Sequence, residues 1–223
     1  MQLAFSFSTQ NKDKFSEENF IKTAENSSAF KFLEKFFQQD DFESTQFPSM
    51  IIKGENESGK THLLNIFAKK YHAEFIDKNI LNDKNPLNIF AKNKFFIVDD
   101  FALIEQEERI LALLNSANEA RVFLVLSDDG QRKFMLKDLN SRLKNIFSSE
   151  IKSPSQDTMK ILISYQLSQH QIKISSDIID EITFSAPRTY SSIDNIVKRI
   201  IFLQTEQNEK LTKNNLAKLF KTY

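Results

Sequence analysis

Gly54-Glu55-Asn56-Glu57-Ser58-Gly59-Lys60-Thr61 fits the phosphate-binding loop pattern G-x-x-x-x-G-K-[ST] without a mismatch. The chain has only three glycines, and two of them stand in this stretch. Ahead of it, Met50-Ile51-Ile52 reads as a short apolar strand. Behind it, residues 61–71 place Leu63, Leu64, Phe67, Ala68 and Tyr71 on one face of a helix. Strand, loop and helix follow in the order the chemistry needs. Glycines let the backbone curl until successive N–H groups and the helix N-terminus point at phosphate oxygens. Lys60 then reaches the β- and γ-phosphates, and the Thr61 hydroxyl holds Mg²⁺.

A second half of such a site is expected at Lys94-Phe95-Phe96-Ile97-Val98-Asp99-Asp100, an apolar run that suits a parallel strand buried on both faces. Its two acids fall at the strand's carboxyl end, the rim where open α/β sheets bind ligands. There Asp99 would hold Mg²⁺ through water, and Asp100 would orient the attacking water. The spacing predicts a helix over 103–118, with Ile110, Leu111 and Leu114 inward, and a further buried strand over 121–126. That strand ends at Ser127-Asp128-Asp129-Gly130. Asp128 either senses the γ-phosphate from beside the Asp99 strand or belongs to an ordinary Asp- and Gly-rich turn.

Residues 134–147 read as an amphipathic helix on Leu136, Leu139, Leu143 and Ile146. Arg142 lies on the flank of that stripe. It is either a solvated charge or a group that reaches into another subunit's nucleotide site. A short strand near 150–152 and Pro154 close the α/β part, which we place at 15–153. A helical domain follows over 154–223, with helices at 156–168, 176–184, 189–204 and 212–220. Arg188 stands at the start of the third of these, where its charge opposes the helix dipole and a ligand phosphate is a natural partner.

Residues 26–28, Asn-Ser-Ser, are good capping residues for an earlier helix whose stripe is Phe30, Leu33, Phe36 and Phe37. The first 14 residues form an extended segment and tether. Leu3, Phe5 and Phe7 alternate on one side of it, as either an edge strand or a docking peptide. His62, His72 and His170 show no metal-ligand spacing; His62 is counted with the nucleotide-binding stretch by its position alone.

Thirty basic and thirty acidic residues balance, so no strong nucleic-acid groove is demanded, and the absence of cysteine excludes disulfide and thiolate-metal frameworks. No apolar run approaches the roughly twenty residues of a membrane span, and a soluble cytoplasmic protein is expected.

In this order these motifs resemble the bacterial replication-initiator branch of the AAA+ ATPases, the DnaA/Hda family. Residues 54–64 are similar to its phosphate loop and Val98-Asp99-Asp100 to its acidic strand end. Leu126-Ser127-Asp128 resembles its first sensor, Ser141-Arg142-Leu143 its arginine-finger segment, and Pro187-Arg188-Thr189 its second sensor. Residues 15–29 resemble the opening segment that cradles adenine, with Phe20 and Ile21 in the matching places. The resemblance implies a P-loop AAA+ parallel sheet flanked by helices, followed by a small all-α lid, with ATP or ADP and Mg²⁺ bound between them. It also implies slow hydrolysis. Because the likeness ends with the lid, the shorter Hda-type layout without DnaA's DNA-binding domain is expected. Gln2-Leu3-Ala4-Phe5-Ser6-Phe7 resembles the Hda-type peptide that docks on the DNA polymerase sliding clamp. The implied partners are therefore that clamp, through Gln2, Leu3, Phe5 and Phe7, and a DnaA molecule whose nucleotide receives Arg142. A helicase loader or other DNA-handling ATPase is the rival reading, and self-association stays open.

Overall fold

The computed structural model describes residues 15–42, 48–77, 90 and 93–220. The N-terminal Gln2, Leu3, Phe5 and Phe7 lie outside them, as does most of the connection expected over 79–90.

Five parallel strands form one sheet in the order β2-β3-β4-β1-β5. They are β1 (Ser49–Gly54), β2 (Glu74–Phe75), β3 (Phe95–Val98), β4 (Phe123–Asp128) and β5 (Phe147–Ile151). The motif strand β1 is central, with Met50 facing Val125 of β4 on one side and Phe147 of β5 on the other. The acidic strand β3 pairs with β4, Val98 against Leu126, so the two candidate acidic strand ends are neighbours as expected.

Successive side chains of a strand point to opposite faces, and the core divides accordingly. Met50, Ile52, Phe95, Ile97, Phe123 and Val125 pack with α1 (Ser27–Phe37) and α2 (Lys60–Tyr71). Ile51, Phe96, Val98, Leu124 and Leu126 pack with α3 (Glu107–Glu119) and α4 (Lys137–Asn145). Much of the chain's phenylalanine goes to the first face: Phe67 stacks on Phe37 at 5.6 Å and meets Phe30 edge-on at 5.2 Å. The fold is thus α/β, a parallel sheet covered on both sides, continued by the helices α5 (Gln156–Gln169), α6 (Ser176–Ser185) and α7 (Tyr190–Thr205). The predicted stripe Ile193, Ile196, Val197 and Ile200 is buried, and the helical core it builds is continuous with the α1–α2 face of the sheet.

Four expectations change. The helix expected from 103 begins at Glu107, because residues 101–103 form a 3-10 turn that leaves Leu103 67% exposed, and Leu113 rather than Leu111 is fully buried. The helix expected over 134–147 is the shorter α4, and β5 takes the remainder. The last stretch, 213–219, is 3-10 rather than α, held at its start by a capping box between Thr212 and Asn215. Asn26 does not cap α1 with its side chain. Its amide instead accepts from Thr23 N and donates to Ile21 O, both at 2.9 Å, folding the segment before the helix.

Candidate nucleotide site

The loop between β1 and α2 closes around Lys60. Glu57 and Gly59 have positive φ, 65° and 93°, which reverse the backbone before the helix. A Cβ on Gly54 would lie 2.7 Å from Ser58 Oγ and 3.2 Å from Ile151 Cβ, so the strand end and the loop meet this closely only at a glycine. Lys60 is 5% exposed and donates from Nζ to the carbonyls of Gly54 at 2.7 Å and Glu55 at 3.1 Å. A buried ammonium is costly without acceptors; two carbonyls hold it and leave one N–H for an anion. Ser58 Oγ is buried with no partner among the described residues, a second unused polar atom inside the curl. Gly54, Glu55, Asn56, Glu57, Ser58, Gly59, Lys60 and Thr61 together fit a polyphosphate.

The acidic strand end meets this loop directly. Thr61 Oγ1 donates to Asp99 Oδ2 at 2.6 Å, and Ser127 Oγ donates to Asp99 Oδ1 at 2.5 Å. Oxygen donors of this kind suit a hard divalent cation, so Thr61 and Asp99 fit Mg²⁺. Ser127 Oγ also accepts the Asp100 N–H at 2.7 Å, while Asp100 itself adopts a left-handed conformation at φ 50°. Sequence reasoning singled out Asp128 on this strand, yet the residue wired into the acidic pair is its neighbour Ser127. Its signal was the strand alternation, which puts 127 and 128 on opposite faces.

Asp128 is 6% exposed at the end of β4, across from Lys53 in the ladder. Burial pushes its carboxyl above the ordinary range, although the Gly130 and Asp129 backbone N–H groups act the other way. Its Oδ1 has no partner among the described residues. It therefore sits at the same rim as Asp99 with an unused acceptor.

Residues 15–26 lie along the start of α2. His62 Nε2 donates to Ser16 O at 2.9 Å, and its ring meets Phe15 and Phe20 edge-on at 5.5 and 5.2 Å. Phe20 is the side chain nearest the position a Gly59 Cβ would take, at 3.6 Å. Phe20 and Ile21 are both half-buried beside the loop. His62 thus serves as the peg for this segment, a role its position in the sequence did not disclose.

The segment is tied at its other end to the helical part. Glu25 accepts from Ser155 N at 3.1 Å and from Thr158 Oγ1 at 2.8 Å, and Lys152 N donates to the Glu25 carbonyl. Desolvation raises this carboxyl, but the Ser155 and Thr158 hydrogen bonds outweigh it and bring it down to about 2. Tyr190, the first residue of α7, donates its N–H to Glu55 Oε1 at 3.4 Å and its hydroxyl to Lys152 O at 3.1 Å. Burial, then the charges of Glu25 and Glu55, push its phenol up to about 12. The start of α7 therefore rests on the phosphate loop, and Arg188, exposed and without a partner among the described residues, stands two residues before it.

Arg142 is not brought to this site. It is exposed and lines a cleft with Pro48, Ser49, Leu114, Asn118, Asn145 and Ile146. Ser49 begins the strand whose last residue is Gly54. Six residues of strand, about 17 Å, separate the two ends.

The sequence matches no family model and no curated protein. Solved structures do resemble the fold. AMPPCP-bound DnaA from Aquifex aeolicus aligns with 18% identity and a TM-score of 0.67, over 87% of this chain and 67% of that one. Domain III of Thermotoga maritima DnaA aligns with 14% identity and a TM-score of 0.72, over 92% and 95%. The Thermotoga maritima RuvB branch migration motor aligns with 14% identity and a TM-score of 0.65, over 92% and 70%. The chain spans about two thirds of the longer DnaA chain it matches. These likenesses show the fold of an AAA+ domain. Among the described residues, no helix is long and apolar enough to cross a membrane.

Proposed function

We propose that this chain is an ATP/ADP-binding AAA+ regulator of chromosomal replication initiation that acts in the cytoplasm. It docks on the DNA polymerase sliding clamp through Gln2, Leu3, Phe5 and Phe7 and stimulates hydrolysis of ATP bound to the DnaA initiator, in the manner of Hda. The observation that carries this reading is the placement of Arg142: exposed, and at the opposite end of β1 from the chain's own phosphate loop. An arginine so placed is out of reach of the chain's own phosphate loop and free to serve the nucleotide of another molecule. Supplied in trans, such a finger neutralises charge on the transferring phosphoryl group and is worth roughly 10³–10⁵ in rate.

The chain's own nucleotide would lie on residues 54–61, with its base against Phe20 and Ile21 and Mg²⁺ on Thr61 and Asp99. Bound Mg²⁺ would neutralise phosphate charge. Asp100 would orient water, and Asp128 and Arg188 would read the γ-phosphate. That a DnaA of similar fold binds AMPPCP supports a nucleotide on this fold.

The test is hydrolysis of DnaA-bound ATP in the presence of DNA-loaded clamp. The full chain accelerates it, Arg142→Ala loses at least about tenfold of the acceleration, and the double change of Leu3 and Phe5 to alanine loses both clamp binding and acceleration. Full acceleration by Arg142→Ala would remove the finger assignment. A second reading, a DnaC-like helicase loader or other DNA-handling ATPase using its own hydrolysis, is favoured by the intact Thr61–Asp99–Asp100 arrangement. It requires DNA binding by the isolated chain that falls steeply with salt.

A further inference from the structure

Two loops at the carboxyl ends of neighbouring strands hold each other by exchanged side chains. After β3, a 3-10 turn over residues 101–103 leaves Asp100 and runs on through 104 and 105. The guanidinium of Arg132, from the loop after β4, takes three carbonyls of this segment: Ala102 at 2.6 Å, Ile104 at 2.5 Å and Glu105 at 2.8 Å. Its plane lies over the Phe134 ring, 4.9 Å from the centroid, and Phe134 stacks in turn on Phe101. In the reverse direction, Glu107 at the start of α3 reaches the beginning of α4. Its Oε1 and Oε2 accept Met135 N at 2.9 Å, and Oε2 accepts Leu136 N at 2.6 Å. Arg132 and Glu107 themselves approach to 3.9 Å and are only 25% and 15% exposed.

The second grip matters to α4 more than an ordinary ion pair would. The residue at its N-cap is Leu136, which has no side-chain acceptor for the free N–H groups of a first turn. Glu107 instead accepts the N–H groups of Met135 and Leu136 just before that turn, and its negative charge suits a helix N-terminus. Only Leu139 of α4 is fully buried, so apolar packing anchors this helix lightly. Its last turn carries Arg142.

The first grip begins at the acidic pair. Ser127 donates to Asp99 and accepts from Asp100 N, the residue from which the gripped turn starts. A cation on Thr61 and Asp99 engages Oδ2, and any turn of that carboxylate moves the Ser127 hydroxyl on Oδ1 and, with it, the Asp100 N–H that depends on it. A path of hydrogen bonds, backbone and one ion pair thus runs from Asp99 through Ser127, Asp100 and residues 101–105 to Arg132, Glu107 and α4.

We propose that Arg132 and Glu107 are positioning residues of a two-way clasp through which occupancy of the chain's own nucleotide site sets the order of α4, and with it the presentation of Arg142. This regulation rests on Arg142 acting outward, but the clasp is testable without any partner. The physical requirement is an element with two arrangements whose balance the site biases, and the lightly anchored first turns of α4 are that element.

The experiment is amide hydrogen exchange over residues 134–145 of the full chain, with and without Mg²⁺ and AMPPCP. Binding of the nucleotide is measured in the same samples by equilibrium dialysis. Nucleotide should slow exchange there by roughly fivefold or more, the low end of ordinary coupling between sites. Glu107→Gln, which keeps the side chain's shape, and Arg132→Lys, which keeps its charge but not its fork, should each abolish that response while nucleotide affinity stays within about twofold. A response absent from the unmodified chain although nucleotide binds, or one that survives in both variants, overturns the clasp. Failure to bind nucleotide overturns the site itself and the clasp with it. Failure of DnaA stimulation alone, with the exchange response intact, removes only the outward role of Arg142.

Discussion

Thr61 and Asp99 stand 38 positions apart in sequence, yet the threonine hydroxyl lies 2.6 Å from the aspartate Oδ2. The contact joins the first residue after the motif lysine to the first acid after β3, and it occupies the oxygen pair best placed for a divalent cation. Thr61→Ala should therefore retain weak nucleotide binding through Lys60 and lose its dependence on Mg²⁺. Titration of a fluorescent ATP analogue with and without Mg²⁺ checks this; a Mg²⁺ effect equal to that of the unmodified chain would place the metal elsewhere.

Gly54→Ala and Gly130→Ala make a contrasting pair. The first puts a methyl 2.7 Å from Ser58 Oγ and 3.2 Å from Ile151 Cβ, whereas the second meets nothing within 4 Å and bears only the strain of φ +76°. We expect Gly130→Ala to cost about 1 kcal/mol of stability and leave nucleotide affinity intact. Gly54→Ala should weaken nucleotide binding by tenfold or more, on the order of 1.4 kcal/mol, because Ser58 and the loop must move. Equal effects of the two changes on affinity would show that the close approach at Gly54 is not what shapes the loop.

Phe67, fully buried and in contact with Phe30, Phe37 and Tyr71, joins α2 to α1 directly behind the loop. Phe67→Ala should destabilise the chain by about 3–5 kcal/mol in urea denaturation. A loss below 1 kcal/mol would mean that the aromatic cluster closes over the gap.

Glu25 sets an acid limb on stability. Its carboxyl is at about 2 in the folded chain, well below its usual value near 4.5, so the folded form binds fewer protons than the unfolded one across that interval. The stabilisation is fully present above the unfolded value and is lost as pH falls toward 2. Glu25→Gln should lower the melting temperature at pH 7, and the difference should shrink steadily below pH 4.5. A pH-independent difference would assign the effect to packing rather than to charge.

Asp128 has the opposite sign. Burial raises its carboxyl, so its ionised form costs stability at neutral pH, and the cost fades as pH falls through the folded value toward the unfolded one. Asp128→Asn should raise the melting temperature at pH 7 and give no gain near pH 3. An unchanged or lower melting temperature at pH 7 would show that the charge is matched by groups such as Lys53.

The parts of the site legible in the sequence are those fixed by local chemistry. The loop needs glycines at 54 and 59 and a lysine at 60. The strand carrying Asp99 announces itself by its apolar run, and α7 by a stripe of isoleucines. What escaped depends on partners distant in sequence. α4 begins at Lys137 rather than at 134 because Glu107 satisfies Met135 N and Leu136 N from another helix. Arg132 holds residues 103–105 out of the helix expected from 103. Asn26, a good cap by residue type, spends its amide on Ile21 and Thr23. No local rule assigns the Ser127 hydroxyl to Asp99 or the His62 ring to Ser16, since each is chosen by where the sheet and the first segment finally lie.

The anchor of Glu25 on Ser155 spans 130 positions, and that fact bears on how the molecule is made. On a ribosome, β1 emerges long before its two flanking strands, β4 and β5, exist to pair with it. The segment 15–26 emerges earlier still and finds its peg, His62, 46 positions after Ser16, but Ser155 and Thr158 follow Glu25 only after 130 and 133 positions. Contacts of such long range form slowly, and incompletely assembled parallel strands expose apolar edges in the meantime. The nucleotide site thus closes late on the nascent chain, and ligand present before then would meet a half-built floor with no roof.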